Sequence, residues 1–232
     1  KTAYDMLRSL VGSEMCIRDR DIGGGTTDIA IFHDGIIRHT AVIPFGGNVI
    51  TEDIKEGCTI MHRQAELLKT KFGAAVTQTN QDNEVVCIPG LRGRDPKEIS
   101  VMNLANIINA RMSEILEHIY YEIKNSGFEK KLIGGIVVTG GGSQLKHMNQ
   151  LIEFTTGMDS RVGYPNEHLS SNTNINVTSP LFATGVGLVA KGFEKFELLM
   201  SRNEKINTRM HSQKNKGSFF EKIKTFFDEK VD

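Results

Sequence analysis

A chain of 232 residues, 39% of them hydrophobic, can form one large globular domain or two small ones. Its 28 basic residues (Lys and Arg) balance its 28 acidic ones, which argues against a nucleic-acid-binding protein because such proteins usually carry a basic excess. The three cysteines are widely separated, which predicts neither a disulfide framework nor a zinc site. The sequence has no apolar run of the ~18 residues that span a membrane and no signal-peptide core, so we expect a cytosolic protein.

Residues 1–20 do not match the pattern of the rest of the chain. Residues 21–23 should end a buried strand, and such a strand in a parallel sheet is normally a run of Val, Ile and Leu. Residues 18–20 instead carry three consecutive charges. We interpret residues 1–20 as a junction segment that is not native to the protein. The alternative is that residues 1–10 are a native helix end and only the junction is altered.

The first predicted elements are two strands, 29–32 and 36–43, joined by an Asp-Gly pair that is typical of a hairpin turn. Residues 48–72 show helical spacing that is interrupted near Gly57. Gly73 is predicted to end this helical region as a C′ glycine.

The later elements alternate between strand and helix, which predicts an α/β layer. Residues 100–125 form the longest predicted helix, with an apolar stripe along one face. The other predicted elements are strands at 84–88, 132–139 and 161–164 and helices at 144–154, 180–191 and 218–232. Residues 201–217 are polar and charged, which is typical of a flexible linker.

A glycine-rich turn follows the first predicted core strand. Glycines allow positive φ and a close approach of the backbone to a ligand, and successive N–H groups in such a turn bind anions. Threonine hydroxyls add donors, and a carboxylate at the strand end is suited to Mg²⁺ or its water. The candidate residues are Asp21, Gly23, Gly24, Gly25, Thr26 and Thr27. The pattern is neither a Walker loop nor a Rossmann fingerprint, and a purely structural bulge is the alternative.

A second glycine turn follows the predicted buried strand that ends at Thr139. It is expected to open a helix, and a helix N-terminus favours contact with phosphate or ribose. Its candidate residues are Gly140, Gly141, Gly142 and Ser143. Two such turns, each at the end of a strand, predict a nucleotide cleft more strongly than either turn alone.

The motifs DIGGGTTDIAIF and VVTGGGSQL resemble the second phosphate-binding hairpin and the adenosine motif of the actin, Hsp70 and sugar-kinase superfamily. The resemblance implies an actin-like ATPase (ribonuclease H-like) second domain of α/β class that binds ATP and Mg²⁺, with Asp21 at the metal. Glu66 and Lys69 match the positions where family members place a Glu and a Lys that touch ribose and adenine.

Within this superfamily the chain is similar to the bacterial cell-division family FtsA. The similarity is carried by residues 45–54 with 65–73, by residues 89–100 with 107–115, and by the C-terminal residues 218–232. It implies a domain II core at 21–47 and 100–195, an inserted α+β subdomain at 48–99, a linker at 196–217 and an amphipathic helix at 218–232. The first half of the family's fold is expected before the first motif, so ATP binding by this chain alone is an open question.

The last residues place their large apolar side chains on one face of a helix, with charges on the opposite face. The apolar residues of this predicted tail helix are Phe219, Phe220, Ile223, Phe226 and Phe227. The helix resembles the membrane-targeting helix of FtsA. The alternative is that it docks on its own domain or in a groove of a partner.

The resemblance implies an actin-like scaffold on the cytoplasmic face of the cell membrane at the division septum. Its implied partners are the C-terminal peptide of FtsZ, held by residues 48–99, membrane lipids, further copies of itself and other divisome proteins, but no nucleic acid. The resemblance implies that the protein is primarily a scaffold and leaves open whether it has weak ATPase activity. A sugar or acid kinase, which would not need the tail helix, and a chaperone-type ATPase, which would be expected to carry a peptide-binding domain after residue 192, are the alternatives.

Overall fold

The computed structural model describes residues 18–77, 84–90, 95–132, 134–166 and 175–201. Most of the junction segment, nearly all of the predicted linker and the whole tail helix lie outside these residues. The chain divides into two units, Lys1–Leu188 and Val189–Asp232. Among the residues with described positions, no helix combines the length and hydrophobicity needed to cross a membrane.

The structure alternates strands and helices, as the sequence predicts. The strands are β1 (Arg18–Ile22), β2 (Thr27–His33), β3 (Ile36–Ile43), β4 (Val85–Ile88), β5 (Lys97–Ser100), β6 (Ile136–Thr139) and β7 (Ser160–Val162). The helices are α1 (Gly47–Cys58), α2 (His62–Phe72), α3 (Val101–Asn125), α4 (Met148–Thr156) and α5 (183–201). Short 3₁₀ helices lie at Glu129–Lys131, Gly141–Gln144, Ile175–Thr178 and Pro180–Phe182.

Five strands form one mixed sheet in the order β3-β2-β1-β6-β7, and β4 and β5 form a separate antiparallel pair. β1 is antiparallel to β2 and parallel to β6, and β6 is parallel to β7. β6 is buried at all four positions, as expected for a parallel strand inside an α/β fold. The predicted α/β class is confirmed.

β1 occupies the centre of the sheet although its first residues fall in the predicted junction segment. The backbone of residues 18–21 pairs with β2 on one side and with β6 on the other. Pairing on both sides explains how this stretch forms a strand despite its charged sequence, since main-chain hydrogen bonds do not depend on side-chain type. The interpretation of residues 1–20 as non-native stays a prediction.

The long helix α3 is confirmed within one residue of its predicted bounds. Its apolar stripe is buried, and Ser100 caps the helix by accepting a hydrogen bond from the backbone N–H of Asn103 at 3.4 Å. Gly57 has a packing role here, because a Cβ at this position would lie 2.8 Å from Ile107 Cδ1 of α3. The helix break comes at Thr59, which adopts left-handed backbone angles.

Two glycines differ from their predicted roles. Gly73 has φ −63° and ψ 131°, so it is not a left-handed C′ glycine. A Cβ there would overlap the carbonyl oxygen of Lys69, which explains the need for glycine by close packing instead. Gly135, inside the predicted strand 132–139, has φ +70°, so the strand begins only at Ile136.

Several predicted bounds were wrong near the second glycine turn. The predicted helix 144–154 is observed at Met148–Thr156, after the 3₁₀ helix Gly141–Gln144. The predicted helix 180–191 begins as a 3₁₀ turn and continues as α5 to residue 201. Residues 196–201, predicted as linker, are therefore helical.

An ion pair joins two of the segments that carry the resemblance. Arg111 of α3 donates to Asp53 of α1 through Nε at 2.5 Å and through Nη2 at 3.0 Å. Hydrogen bonding to Asp53 holds the pKa of Arg111 above its ordinary value despite partial burial. The bidentate geometry fixes α1 against α3, because both oxygens of one carboxylate are held by one planar group.

Candidate functional site

The two glycine turns lie next to each other at one edge of the sheet. β1 and β6 are parallel neighbours in which Asp21 pairs with Thr139, so the turn after each strand leaves the sheet at the same edge. The contact between the turns is close, since a Cβ on Gly142 would lie 2.9 Å from the Cβ of Ile22. The structure thus brings together two motifs that are far apart in the sequence.

The first turn is held by the N-terminus of α1. The N–H of Gly47 donates to the carbonyl of Gly23 at 2.9 Å, and the N–H of Asn48 donates to the carbonyl of Gly24 at 2.7 Å. In a trans peptide the N–H points opposite to the carbonyl. The N–H groups of Gly24 and Gly25 therefore point away from α1.

This arrangement is suited to an anion. A Cβ on Gly25 would meet no atom within 4 Å, so there is free space beside Gly25. Successive N–H groups that point away from α1 can form the kind of concavity that binds phosphate. The residues present therefore fit the phosphates of a nucleotide.

The backbone conformation of the first turn differs from the one that its glycines predict. Gly23, Gly24 and Gly25 all lack the left-handed φ that the sequence suggested. The tightest approach is at Gly46, where a Cβ would lie 2.6 Å from the carbonyl oxygen of Gly23. Sequence reasoning missed Gly46 as a site-shaping residue, although its place in a Gly-Gly pair before a helix was a usable signal.

Thr26 and Thr27 have different environments. Thr27 is fully buried and donates its hydroxyl hydrogen to the carbonyl of Phe45 at 2.8 Å, so it secures the hairpin against the segment before α1. Thr26 is exposed and lies 3.4 Å from Asp28. Only Thr26 presents its hydroxyl at the surface, and a ligand contact by either threonine stays a prediction.

The second turn is a 3₁₀ helix rather than the start of α4. Gly140 has φ +81°, and its N–H donates to the carbonyl of Pro180 at 3.1 Å. Ser143 is buried and donates its hydroxyl hydrogen to the carbonyl of Gly140 at 2.8 Å. The expected long-helix N-terminus is therefore absent from this turn. Gly141 and Gly142 are half-buried in this turn.

Glu66 and Lys69 of α2 form a hydrogen-bonded cluster with α1. The ammonium of Lys69 donates to the Gly47 carbonyl at 2.8 Å and to Thr51 at 2.6 Å, and lies 2.7 Å from Glu66. The Lys69 side chain is only 12% exposed, whereas that of Glu66 is 43% exposed. Glu66 is therefore the member of the pair that can reach a ligand, while Lys69 holds the N-terminus of α1.

The charge of Glu66 is stabilised by this cluster. Burial acts to raise the pKa of Glu66, but hydrogen bonds from Lys69 and Thr51 outweigh it and leave the pKa below its ordinary value. Glu66 is consequently ionised at neutral pH and acts as a hydrogen-bond acceptor, the role expected of a carboxylate beside a ribose hydroxyl.

Asp21 lies at the end of β1 between the two turns. Burial raises the pKa of Asp21, a hydrogen bond from Thr184 opposes this, and the charge of Asp28, its partner across the hairpin, raises it further. The net result is a pKa above the ordinary 3.8. A carboxylate that is costly to ionise in the free protein gains from a neighbouring cation.

The described residues include no cluster of three or more His, Cys, Asp or Glu side chains that could hold a metal ion alone. Mg²⁺ usually binds one or two carboxylates and completes its shell with waters and substrate phosphates. Asp21 beside a phosphate-binding turn fits that pattern. Thr184, which contacts Asp21, was not identified from the sequence, whereas Asp28 is the last residue of the first glycine-turn motif.

Comparison with known proteins identifies a family. A family model described as "Cell division protein FtsA" matches residues 21–187. The chain is 38% identical over 175 residues to "Cell division protein FtsA" of Pseudomonas aeruginosa, covering 75% of this chain and 42% of that protein. It is 36% identical over 217 residues to the protein of the same description from Borreliella burgdorferi, covering 89% and 50%. The chain thus spans about half or less of the length of these relatives.

Solved structures show the same fold at low sequence identity. MreB5 of Spiroplasma citri bound to ADP has a TM-score of 0.64 at 22% identity, covering 84% of this chain and 58% of that one. The MamK double helical filament has a TM-score of 0.62 at 17% identity, covering 83% and 58%. These neighbours are actin-like, which confirms the predicted actin-like fold.

Gly140→Ala and Gly25→Ala should differ sharply in their effect on stability. At Gly140 the left-handed φ and the overlap of a Cβ with the Ile22 carbonyl oxygen, 2.6 Å away, should lower the free energy of unfolding by about 2–4 kcal/mol. At Gly25 the Cβ enters open space, so the change should stay within about 0.5 kcal/mol. Urea unfolding of both variants tests this, and equal losses would contradict the turn geometry.

Asp21→Asn should raise the melting temperature at neutral pH. The raised pKa of Asp21 means that its ionisation opposes folding, and this penalty is absent below about pH 3.8, where the carboxyl is protonated in both states. The penalty grows as the pH rises from 3.8 through the folded-state pKa. The stabilisation by Asn should therefore shrink as the pH is lowered toward 3.8.

Asp159→Asn, at an exposed position, is the matched control for thermal melts across this pH range. It should change the melting temperature little at any pH. A destabilising Asp21→Asn substitution at neutral pH would show that the Asp21 carboxylate is needed for folding itself.

Proposed function

The chain belongs to the FtsA family of cell-division proteins, and from that membership we propose that it is the nucleotide-binding part of an actin-like scaffold. This scaffold tethers FtsZ filaments to the cytoplasmic face of the cell membrane at the division septum and helps to assemble the divisome. The observation that carries the proposal is the meeting of two glycine turns and Asp21 at one sheet edge.

Each group at the sheet edge has a role toward ATP. The N–H groups of Gly24 and Gly25 bind phosphate oxygens, and Asp21 holds Mg²⁺ directly or through water. Backbone at Gly141 and Gly142, together with Glu66, faces the ribose and base. When bound, MgATP would supply charges that link this domain to the first half of the family's fold, which is expected to form the other side of the cleft. Solved relatives of the fold described as bound to ADP and AMPPNP support this assignment.

The proposed role is scaffolding, with slow hydrolysis at most. Asp21 can orient a water beside the phosphates, but its carboxylate already accepts a hydrogen bond from Thr184 and lies opposite Asp28. Membership of the FtsA family favours this role over that of a sugar kinase or a chaperone ATPase.

Self-association strengthens attachment to the membrane. A large apolar side chain contributes roughly 1.5–3 kcal/mol when fully buried, so the phenylalanine face of the tail helix contributes several kcal/mol, partly offset by ordering of the helix. One tail therefore binds weakly, and several tails on one filament bind tightly through effective concentration. A neighbour described as a double helical filament supports assembly by this fold.

The region that includes residues 48–99 is proposed to hold the FtsZ peptide. It contains a groove of about 470 Å³ between the α1–α2 connection and the β4–β5 hairpin. Gln64 joins the two walls by donating to the carbonyl of Pro89 at 3.3 Å. The lining surface is mostly apolar and includes side chains of both charge signs, with Ile60, Met61, Ile88, Lys55, Glu56, Asp95 and Lys97 among the lining residues. An extended peptide with apolar and charged side chains suits this groove.

Nucleotide binding is tested by titrating ATP into the chain with Mg²⁺ present. Gly25→Asp places a negative charge where the phosphates bind and should weaken the affinity at least tenfold, since like charges within a few ångströms repel. Gly25→Ala is the steric control, which should keep the melting temperature of the unaltered chain and weaken the affinity less than Gly25→Asp does, because it adds no charge. Equal affinities for all three proteins would reject the proposed phosphate site.

Membrane tethering is tested by liposome flotation with FtsZ filaments. The chain should carry FtsZ to the floating fraction, and removal of residues 218–232 should abolish this because the apolar face is lost. A single change, Phe226→Glu, should lower flotation severalfold because it places a charge on that face. Phe154→Glu, at an exposed position on α4, is the matched control. Equal flotation with and without the tail would reject the tether.

A further inference from the structure

We propose that Thr184 is a positioning residue that holds the carboxylate of Asp21 in the orientation required by the cation and nucleotide site. This inference rests on the nucleotide-binding function proposed above. It adds a residue that lies in α5, outside both glycine turns, and that no motif in the sequence identified.

The contact between the two side chains is direct. Thr184 Oγ1 donates to Asp21 Oδ2 at 2.5 Å, across 163 residues of sequence. Asp21 ends the central strand β1, and Thr184 lies in the first turn of α5. Both side chains are half-buried, so the hydrogen bond is shielded from competing water.

The other carboxylate oxygen is restricted as well. Asp21 Oδ1 occupies the space that a Cβ on Gly140 would fill. One oxygen is thus held by a donor, and the other fits against a glycine that has no side chain. Rotation of the carboxylate away from this position would break the hydrogen bond from Thr184 and move Oδ1 away from Gly140.

Thr184 donates to a carboxylate of a remote segment, as Thr51 of α1 does toward Glu66 of α2. The hydroxyl groups of Thr70, Thr155 and Thr156 each donate to the carbonyl four residues earlier in their own helix. The corresponding carbonyl for Thr184 is that of Pro180. It already accepts hydrogen bonds from the N–H of Gly140 at 3.1 Å and the hydroxyl of Thr139 at 3.4 Å.

The same contacts fix the position of Thr184. Because Pro180 is bound by residues at the end of β6, the start of α5 is tied to the second glycine turn. The Ser179 hydroxyl oxygen accepts the N–H of Leu181 at 3.4 Å and caps this segment. Thr184 is therefore held by the second turn while it orients the carboxylate beside the first.

Orientation is needed because the surroundings of Asp21 otherwise favour movement. Asp28 lies directly opposite Asp21 in the hairpin and repels it when both are ionised. Without the hydroxyl of Thr184, the carboxylate gains by rotating away from Asp28 toward solvent. A cation beside the phosphates would then lose a preorganised oxygen ligand.

The test compares Thr184→Val, which keeps the shape but removes the donor, with Thr184→Ser, which keeps the donor. Thr155→Val, whose hydroxyl bonds within α4, is the matched control. Two measurements are made on the full chain. Three-bond NMR couplings to the Asp21 side-chain carboxyl carbon, measured in the absence of nucleotide, report the χ1 rotamer of Asp21. Titrations of ATP in Mg²⁺ and in EDTA report the affinity for ATP.

The unaltered chain and Thr184→Ser should show one Asp21 rotamer, and Thr184→Val an average of several. Thr184→Val should lose about tenfold in affinity in Mg²⁺, as expected for one hydrogen bond to a charged group, and little in EDTA. A single rotamer in Thr184→Val, or equal losses in both buffers, would overturn the proposal. Absence of ATP binding by the unaltered chain would reject the nucleotide site and the cation role, while the couplings still decide whether Thr184 orients Asp21.

Discussion

The parallel pairing of β1 with β6 is the constraint on which the candidate site depends. It aligns Asp21 with Thr139, so that two glycine turns leave the sheet at the same edge. Gly140 and Gly142 then allow the second turn to lie directly on the end of β1, where any side chain would collide with Ile22. The same pairing places Asp21 at the point where both turns meet.

The site is also coupled to the inserted region through α1. The N-terminus of α1 holds the first turn by two backbone hydrogen bonds, and Lys69 of α2 holds that N-terminus through the carbonyl of Gly47. Asp53 in the same helix forms the bidentate ion pair with Arg111 of α3. The first glycine turn is therefore in direct hydrogen-bond contact with α1, one of the helices that line the proposed peptide groove.

Asp21 shows how function and stability oppose each other at this site. Its burial and its position opposite Asp28 make the ionised form unfavourable in the free protein, and one hydrogen bond from Thr184 compensates only in part. Under the proposed function, such a residue would give up stability in exchange for affinity toward a cation. The apolar core around it, including Ile22 and Ile136, supplies the stability that permits this.

The sequence by itself determined the α/β class, the hairpin, α3 and the two glycine turns, because these depend on local periodicity and turn chemistry. It also indicated the actin-like fold through two motifs. Only the tertiary structure decided which groups face the site. Lys69 and Ser143 carry suitable chemistry but are bound by neighbouring backbone, whereas Thr184 donates to Asp21 at the site. Partner choice among hydrogen-bonding groups depends on distances between remote segments, and those distances are set by packing.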